Sequence, residues 1–390
     1  MKKDTQLIEI GRNKKWVGKA VNPSLVRAST IVFDSVADLQ QSLKNSHKGV
    51  ESYGRRGTST TFAFCHAMAE LDGAAGCFAY PSGTAAITAS LLSFLSTGDH
   101  LLVPDSVYEP TRNFCSKTLA RLGVETTYYD PLLGSAIESL VQENTQVIFM
   151  ESPGSLTMEV QDAPAIVKVA QRHSIVTMVD NTYATPLNFK PLDFGVDIAI
   201  QSATKYINGH SDVMLGIACA NKKTWPTLDH HSYELGLCTS ADDLYTGLRG
   251  IRTLGVRMRQ HENNALQVAE WLSQREEVDH LRHPAYETCP GHDVFKRDFK
   301  GGNGLFSLVL SRGNDEALAA MLDNMQYFKM GFSWGGYESL ILAASNMSSR
   351  RSATPWQAAG PLIRLHIGLE DPSDLIADLE AGFDRLNQHI

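Results

Sequence analysis

The chain has 390 residues, a formal net charge of −8, and 43% hydrophobic against 20% charged residues. A chain of this length exceeds what one hydrophobic core usually organises, so we expect two or three domains. The composition indicates a folded globular protein. The negative charge argues against a nucleic-acid binder, which needs a basic face.

The six cysteines are scattered without C-x-x-C spacing, and no spacing among the 13 histidines predicts a metal site. Several cysteines lie in apolar stretches such as GCFAY, which suits reduced thiols. The N-terminus is positively charged but lacks the apolar core of a secretory signal. No apolar run approaches the roughly 20 residues that span a bilayer. We therefore expect a cytoplasmic protein without a membrane segment.

Residues 1–60 contain short polar segments broken by VNPS, SHKG and YGRRGTST. Such a stretch buries little surface by itself. We expect an extended segment that lies against the rest of the protomer or against a neighbouring subunit.

Residues 61–250 alternate between short apolar runs and helical patterns. The apolar runs are GCFAYP, HLLVPD, VIFMES, IVTMVDN and DIAIQSAT, and the helical patterns include TAAITASLLSFL and APAIVKVAQRH. This alternation predicts an α/β domain whose mostly parallel sheet is covered on both faces. Ligands in such domains bind beyond the carboxyl ends of the strands.

Residues 251–390 begin with the amphipathic pattern VRMRQHENNALQVAEWLSQ. The runs GLFSLVLS and LIRLHIGL follow, with the helical pattern ALAAMLDNM between them. We predict a smaller α+β domain with a partly exposed sheet. The segment 345–359 carries no motif that can be assigned.

Four polar residues stand at the ends of two neighbouring apolar runs. Asp180 ends one run, and Ser202, Thr204 and Lys205 close the next. A lysine amine forms a Schiff base with pyridoxal 5′-phosphate, a carboxylate keeps the pyridine nitrogen protonated, and hydroxyls bind the phosphate. Each residue alone is compatible with an ordinary turn. Their joint occurrence predicts a pyridoxal-phosphate site.

Two further segments could bind the phosphate. Ser82, Gly83 and Thr84 stand at a predicted helix start, where free N–H groups favour an anion, although Ser and Thr also cap helices without any ligand. Tyr53 and Arg55 lie in the glycine-flanked loop YGRRG. Arginine binds phosphate bidentately, but a solvated basic turn explains the same loop.

Four other residues are candidates for contacts with the cofactor ring or the substrate. Tyr108 follows the run HLLVPD, where it would either stack on the ring and transfer a proton or simply pack. Arg364, in LIRLHIGL, would either clamp an α-carboxylate or face solvent. Ser333 and Trp334, in SWGGYES, would border a pocket, unless Trp334 belongs to the core.

Six segments together resemble the Cys/Met-metabolism family of pyridoxal-phosphate enzymes, which contains γ-synthases, γ-lyases and β-lyases. They are YPSGTAAI, DNTYATP, SATKYINGHSDVMLG, RGIRTLGVRM, SWGGYESL and IRLHIGLED, and the resemblance covers nearly the whole chain. YGRRGT, ESPGSLTMEVQD and SWGGYES are most similar to bacterial β-lyases, because γ-enzymes typically have Leu at the position of Trp334. The Ser-Gly-Thr at 82–84 departs from the Cys-Gly-Ala of some β-lyases.

The resemblance implies a fold and a set of roles. The fold is a PLP-dependent transferase-like large domain with a smaller C-terminal α+β domain. Lys205 would be the Schiff-base lysine and Asp180 the partner of the pyridinium. The remaining roles would be phosphate binding by Ser202, Thr204, Gly83 and Thr84, ring stacking by Tyr108, and substrate-carboxylate binding by Arg364 and Ser333. Tyr53 and Arg55 would reach the phosphate of a neighbouring subunit in a homotetramer of two active dimers.

The activity that the resemblance implies is α,β-elimination of L-cystathionine, with cystine and other cysteine S-conjugates as further substrates. A γ-lyase or γ-synthase of the same family is the main alternative. A non-catalytic protein that merely retains the cofactor is the alternative from another class. Intact Lys205, Asp180 and Arg364 argue against that class, because a binder has no need of an acid–base lysine.

Overall fold

The computed structural model describes residues 1–344 and 347–389, so residues 345 and 346 of the unassigned segment lie outside it. Two β-sheets, each packed against helices, are connected by one long helix. Throughout the described ranges, no helix combines the length and the apolar character needed to cross a membrane. Within the same ranges, no three His, Cys, Asp or Glu side chains are grouped so that they could hold a metal ion.

The larger sheet has seven strands in the order β1-β7-β6-β5-β4-β2-β3. The strands are β1 Gly76–Tyr80, β2 His100–Pro104, β3 Glu125–Tyr129, β4 Thr145–Glu151, β5 Val176–Asp180, β6 Ile198–Ser202 and β7 Gly216–Ala220. β7 runs in the direction opposite to the other six strands, so its pairings with β1 and β6 are antiparallel and the remaining pairings are parallel. The predicted mostly parallel sheet is confirmed, and the carboxyl ends of six strands lie at one edge.

Helices cover both faces of this sheet. Along β4, Ile148 and Met150 belong to one buried cluster and Phe149 to another, as expected when successive side chains point to opposite faces. The helices of this part are α4 Ser59–Asp72, α5 Gly83–Leu92, α6 Glu109–Asn113, α7 Ala163–Arg172, α8 Thr185–Asn188 and α9 Trp225–Glu234.

The connecting helix, α10, extends over Ala241–Leu272. It begins ahead of the amphipathic pattern seen in the sequence, and it crosses the predicted boundary at residue 250. Its first part packs against α4 and its last part against the smaller sheet. The domain limits themselves stay a prediction.

The smaller sheet has the order β10-β11-β12-β9-β8. Its strands are β8 Val278–Arg282, β9 Leu305–Leu310, β10 Lys329–Met330, β11 Leu340–Ala344 and β12 Leu362–His366. All described pairings are antiparallel except β10 with β11. The helices are α11 His292–Asp298, α12 Asp315–Leu322 and α13 Pro372–Asn387. The predicted smaller α+β part is confirmed; β9 is buried throughout, and β10 is exposed.

The N-terminal segment contains α1 Lys3–Glu9, α2 Lys14–Val17 and α3 Val36–Asn45. Leu7 and Ile10 are buried in the cluster that α4 and α10 form, so the first turns dock on their own protomer. Between residues 18 and 41, by contrast, most side chains are exposed, and Val32 is 87% exposed.

Candidate active site

A cavity of about 330 Å³ lies where the carboxyl ends of the parallel strands meet the loop between β10 and β11. Eleven of the side chains and backbone positions singled out from the sequence line it: Ser82, Gly83, Thr84, Tyr108, Asp180, Ser202, Thr204, Lys205, Ser333, Trp334 and Arg364. They come from segments up to 282 positions apart in the chain, from Ser82 to Arg364 (364 − 82). The fold therefore assembles one site from residues that the sequence offers separately.

Lys205 follows the end of β6 and extends its amine into the cavity. The amine donates a hydrogen bond of 2.6 Å to the hydroxyl of Ser333 and lies 5.4 Å from the centre of the Trp334 ring. Burial and, next, the positive charge of Arg364 lower the pKa of Lys205 to about 8, against an opposing effect of Asp180. An amine with this pKa both takes up and releases a proton near neutral pH.

The turn that carries Ser333 is held close to Lys205. Ser333 has a backbone φ of +126°, a conformation that residues other than glycine rarely adopt. Gly335 follows with a φ of +84°, and a Cβ placed there would lie 3.1 Å from the Cα of Lys205. Only glycine permits this approach. Trp334 both borders the cavity and packs against the core, so the two alternatives for it coexist.

Asp180 ends β5 beside the end of β6. Its carboxylate accepts the N–H of Thr182 at 2.9 Å and a short bond from the Thr182 hydroxyl, which in turn accepts the N–H of Ser202 at 2.8 Å. Thr182 therefore ties the two strand ends together, a role that sequence reasoning missed. Burial raises the pKa of Asp180 because it disfavours the charged carboxylate, and a cation placed beside the carboxylate would stabilise that charge.

The start of α5 lies against Ser202. A Cβ on Gly83 would be 2.6 Å from the Cβ of Ser202, so the two segments meet only because residue 83 is glycine. The hydroxyl of Ser82 accepts the N–H of Ala85 at 3.1 Å, which makes Ser82 a helix cap. The N–H groups of Gly83 and Thr84 begin the helix and have no carbonyl partner within it. This corner of the cavity presents donors suited to an anion.

The hydroxyl of Thr204, predicted to bind the phosphate, already has hydrogen-bond partners within the protein. Its hydroxyl donates to the carbonyl of Leu215 at 3.1 Å and accepts the N–H of Leu215 at 2.8 Å. The carbonyl of Leu215 also receives the backbone N–H of Thr204 at 2.9 Å. The hydroxyl proton can therefore turn towards a phosphate without leaving that carbonyl unpaired.

Tyr108 lies at the cavity mouth with 43% of its surface exposed. Its backbone N–H donates to the carboxylate of Glu151 at 2.7 Å. Glu151 ends β4, where it is buried and pairs in register with Asp180 of β5. Burial, and next the charge of Asp180, raise the pKa of Glu151 well above its ordinary value. Sequence reasoning missed Glu151, although its place at the end of an apolar run, as for Asp180, was the available signal.

Arg364 extends from β12 into the cavity. Its guanidinium donates to the carbonyl of Ser333 at 3.1 Å, and no carboxylate lies within 4.0 Å of it among the residues that the structure describes. Burial lowers the pKa of Arg364 to about 10. A half-buried cation with only carbonyl partners suits the carboxylate of a bound amino acid.

Tyr53 and Arg55 do not line this cavity in their own protomer. Arg55 donates to the carbonyl of Tyr233 at 2.6 Å and lies 3.8 Å from the centre of its ring. Tyr53 is 50% exposed. Their predicted contact with a neighbouring subunit's phosphate stays a prediction.

The residues of the cavity match the chemistry of pyridoxal phosphate. Lys205 offers an amine of lowered pKa, Asp180 a half-buried carboxyl for a protonated ring nitrogen, and the Gly83–Ser202 contact a corner with donors for phosphate. A mostly parallel sheet with this set at its carboxyl edge defines a pyridoxal-phosphate enzyme.

Comparison with known proteins identifies the family. Residues 4–384 match the family described as Cys/Met metabolism PLP-dependent enzyme. The chain is 50% identical over 390 residues to cystathionine beta-lyase MetC of Escherichia coli (strain K12), with 99% of each chain covered. It is 48% identical over 387 residues to cystathionine beta-lyase of Haemophilus influenzae, with 98% of each covered.

The fold is similar to that of a solved cystathionine gamma synthase from Xanthomonas oryzae pv. oryzae in complex with aminoacrylate and cysteine. The TM-score is 0.90 at 31% identity, and both chains are covered completely. This chain belongs to the Cys/Met metabolism family of PLP-dependent enzymes, as the resemblance of its motifs implied.

Proposed function

We propose that the chain is a carbon–sulfur β-lyase that cleaves L-cystathionine to homocysteine, pyruvate and ammonia, and that also accepts cystine and other cysteine S-conjugates. The observation that carries this proposal is the meeting of Lys205, Asp180 and Arg364 in one cavity. The 50% identity to a protein named cystathionine beta-lyase supports the choice of substrate.

In an α,β-elimination, each of these cavity residues would have a separate role. Pyridoxal phosphate, when bound, supplies the electron sink that acidifies the Cα–H of the substrate. Asp180 keeps the ring nitrogen protonated, and Arg364 with Ser333 binds the α-carboxylate. The Lys205 amine removes the proton from Cα. As the Cβ–S bond breaks, the thiolate leaves and takes up the proton that Lys205 carries, with the Tyr108 hydroxyl placed to assist.

The surroundings of Lys205 support this proton transfer. Burial and the charge of Arg364 lower the pKa of Lys205 to about 8, so a much larger fraction of the amine is neutral and able to act as a base near neutral pH than for an ordinary lysine. The hydroxyl of Ser333, 2.6 Å away, gives the amine a fixed direction. The three-carbon fragment left after the thiol departs is hydrolysed to pyruvate and ammonia.

Cleavage on the other side of the sulfur is the second candidate. It is supported by the similarity to a solved γ-synthase at 31% identity, against 50% to a β-lyase. Product analysis with L-cystathionine separates the two. Homocysteine with pyruvate is expected, cysteine with 2-oxobutyrate would establish γ-cleavage, and no product above a Lys205→Ala control would overturn both.

The assembly that we propose is a cytoplasmic homotetramer of two active dimers. Tyr53 is half exposed, and Arg55 does not line the cavity of its own protomer. In residues 18–41, Val32 and other apolar side chains are exposed to solvent. A subunit partner would cover this surface and would bring Tyr53 and Arg55 to a second cavity. Sedimentation of the holoenzyme tests the tetramer.

A further inference from the structure

Asp105 is a buried carboxylate that the proposed chemistry does not use. It directly follows β2, and its side chain is 0% exposed. The carboxylate accepts the backbone N–H groups of three consecutive residues, Ser352, Ala353 and Thr354, at 2.9 Å each. The hydroxyls of Ser352 and Thr354 add bonds of 3.0 and 3.2 Å, and Arg112 donates a further short bond. One side chain thus binds a whole turn from the other end of the chain.

Residues 350–354, here called the strap, make two more ionic contacts. Arg351 donates to Glu159 at 3.0 Å and to the hydroxyl of Thr157 at 3.2 Å, with the Arg351 and Glu159 side chains only 7% and 5% exposed. Arg350 pairs with Glu109 at 2.8 Å. The strap is therefore held by three acidic side chains, which follow β2 and β4 of the larger sheet.

The strap lies in the connection between β11 and β12, so it is joined by the chain to two strands of the smaller sheet. Met347, just ahead of the strap, is buried with Leu156 and Leu362. Leu156 lines the cavity, and Leu362 begins the strand that carries Arg364. On the other side of the contact, Asp105 stands three positions before Tyr108. The strap thus connects the segments that present Tyr108 and Arg364.

The Asp105 carboxylate remains charged in this place. Burial alone would raise the pKa of its carboxyl, but the N–H groups of Ser352 and Thr354 outweigh burial, and the pKa lies below its ordinary value. A charged acceptor of several N–H groups forms stronger bonds than a neutral one.

We propose that Asp105 is a positioning residue that, by binding the strap, fixes Tyr108 of the larger sheet relative to Arg364 of the smaller sheet. This inference rests on the proposed function for the tasks of Tyr108 and Arg364. It gives the previously unassigned segment 345–359 a role at the residues that the structure describes.

The test uses Asp105→Asn in the holoenzyme, with Asp130→Asn as the matched control. Asp130 follows β3 as Asp105 follows β2, but among the described residues its carboxylate accepts only the nearby N–H of Leu132. We expect Asp105→Asn to retain its cofactor absorbance and to lose about 10–100-fold in kcat/KM for cystathionine, because small displacements of reacting groups are costly. Asp130→Asn should match wild type.

A double-mutant cycle with Tyr108→Phe distinguishes positioning from general damage. If Asp105 acts through the position of Tyr108, Asp105→Asn costs clearly less in the Tyr108→Phe background than alone. Equal losses in both backgrounds would overturn the proposal.

A milder variant, Ser352→Ala with Thr354→Val, removes only the two hydroxyl donors and serves if Asp105→Asn does not fold. It should show a smaller loss of kcat/KM with the same dependence on Tyr108. Wild-type kcat/KM in this variant and in Asp105→Asn would also overturn the proposal. A wild-type enzyme that fails to cleave cystathionine would instead overturn the proposed function.

Discussion

The amine of Lys205 and the hydroxyl of Ser333 form a hydrogen bond of 2.6 Å that joins the two halves of the cavity. Lys205 follows a strand of the larger sheet, and Ser333 stands in a loop of the smaller one. Ser333 makes this bond with a φ of +126°, while Gly335 lets the same loop approach the backbone of Lys205. The backbone strain at residue 333 is therefore maintained at the place where the lysine is oriented.

Two substitutions at Ser333 separate the hydroxyl from the strain. Ser333→Ala removes the hydroxyl and keeps the strained backbone, whereas Ser333→Gly removes both. We expect the two variants to lose kcat/KM to a similar extent, and Ser333→Gly to be more stable than Ser333→Ala by about 1 kcal/mol. Denaturant unfolding of both holoenzymes measures the difference. If Ser333→Ala were instead the more stable variant, as the greater freedom of glycine in the unfolded chain predicts for an ordinary turn, the turn would not be strained.

Lys205→Ala should fold but lack the long-wavelength absorbance of covalently bound cofactor. Loss of acid–base help alone lowers rates by about 10²–10⁴-fold, so we expect elimination to fall by at least that factor. Pyruvate release from cystathionine measures the fall. Lys222→Ala, which changes an exposed lysine beyond β7, is the control and should match wild type. Near-native turnover in Lys205→Ala would remove Lys205 from the mechanism.

The rate at which cofactor-free protein recaptures pyridoxal phosphate should depend on pH, because only the neutral amine attacks an aldehyde. With the Lys205 pKa at about 8, the rate should rise with pH up to about that value and then level off. The charge of Arg364 contributes to lowering this pKa, so Arg364→Gln should move the midpoint to higher pH. A midpoint that stays in place, or moves down, would contradict the assigned electrostatics.

Asp180→Asn should keep the fold and weaken the cofactor site. The amide cannot offer a charge to a protonated ring nitrogen, and a charge-assisted hydrogen bond is worth about 1.5–3 kcal/mol, or roughly 10–100-fold in affinity. Equilibrium dialysis of pyridoxal phosphate measures this loss, and rapid-mixing kinetics should show slower removal of the Cα proton. If the variant removed that proton at the wild-type rate, another carboxylate would have to be the partner of the ring.

The site residues at the strand ends could be predicted from the sequence, because each of them directly follows or ends an apolar run. Asp180 and Lys205 each close an apolar run, and parallel strands bring such ends to one edge. Glu151 stands in the same way at the end of the apolar run VIFME, but the sequence alone does not identify it as a cavity residue. Its significance depends on its being next to Asp180 in the sheet, which the strand order determines and the sequence does not display.

Contacts between distant segments could not be predicted in this way. The strap is bound by Asp105, 247 positions before Ser352, through backbone N–H groups that every residue type except proline would supply. The pairing of the Thr204 hydroxyl with Leu215 likewise uses backbone atoms. The identity of a side chain carries little information about bonds made by backbone atoms, because these bonds depend on which segments the fold brings together.

We predict that each active site contains residues of two subunits, and this prediction tests the proposed assembly. Lys205→Ala protomers are expected to be inactive because they lack the amine. Protomers with Tyr53→Phe and Arg55→Ala are expected to bind the cofactor weakly, because an arginine–phosphate contact contributes about 1.5–3 kcal/mol. If Tyr53 and Arg55 complete the cavity of a neighbour, a mixed dimer contains one intact site and one site with both defects.

Mixing the two variants under conditions of subunit exchange should therefore restore activity. Random pairing makes half of the dimers hybrid, and half of their sites intact, so we expect about a quarter of the wild-type activity per subunit. Arg56→Ala, combined with Lys205→Ala on the same protomer, is the control: Arg56 pairs with Asp229 at 2.6 Å within its own chain. Mixing that double variant with Tyr53→Phe/Arg55→Ala should restore the same share. Labelled subunits show whether exchange has occurred, and exchange without recovered activity would place Tyr53 and Arg55 outside the neighbour's site.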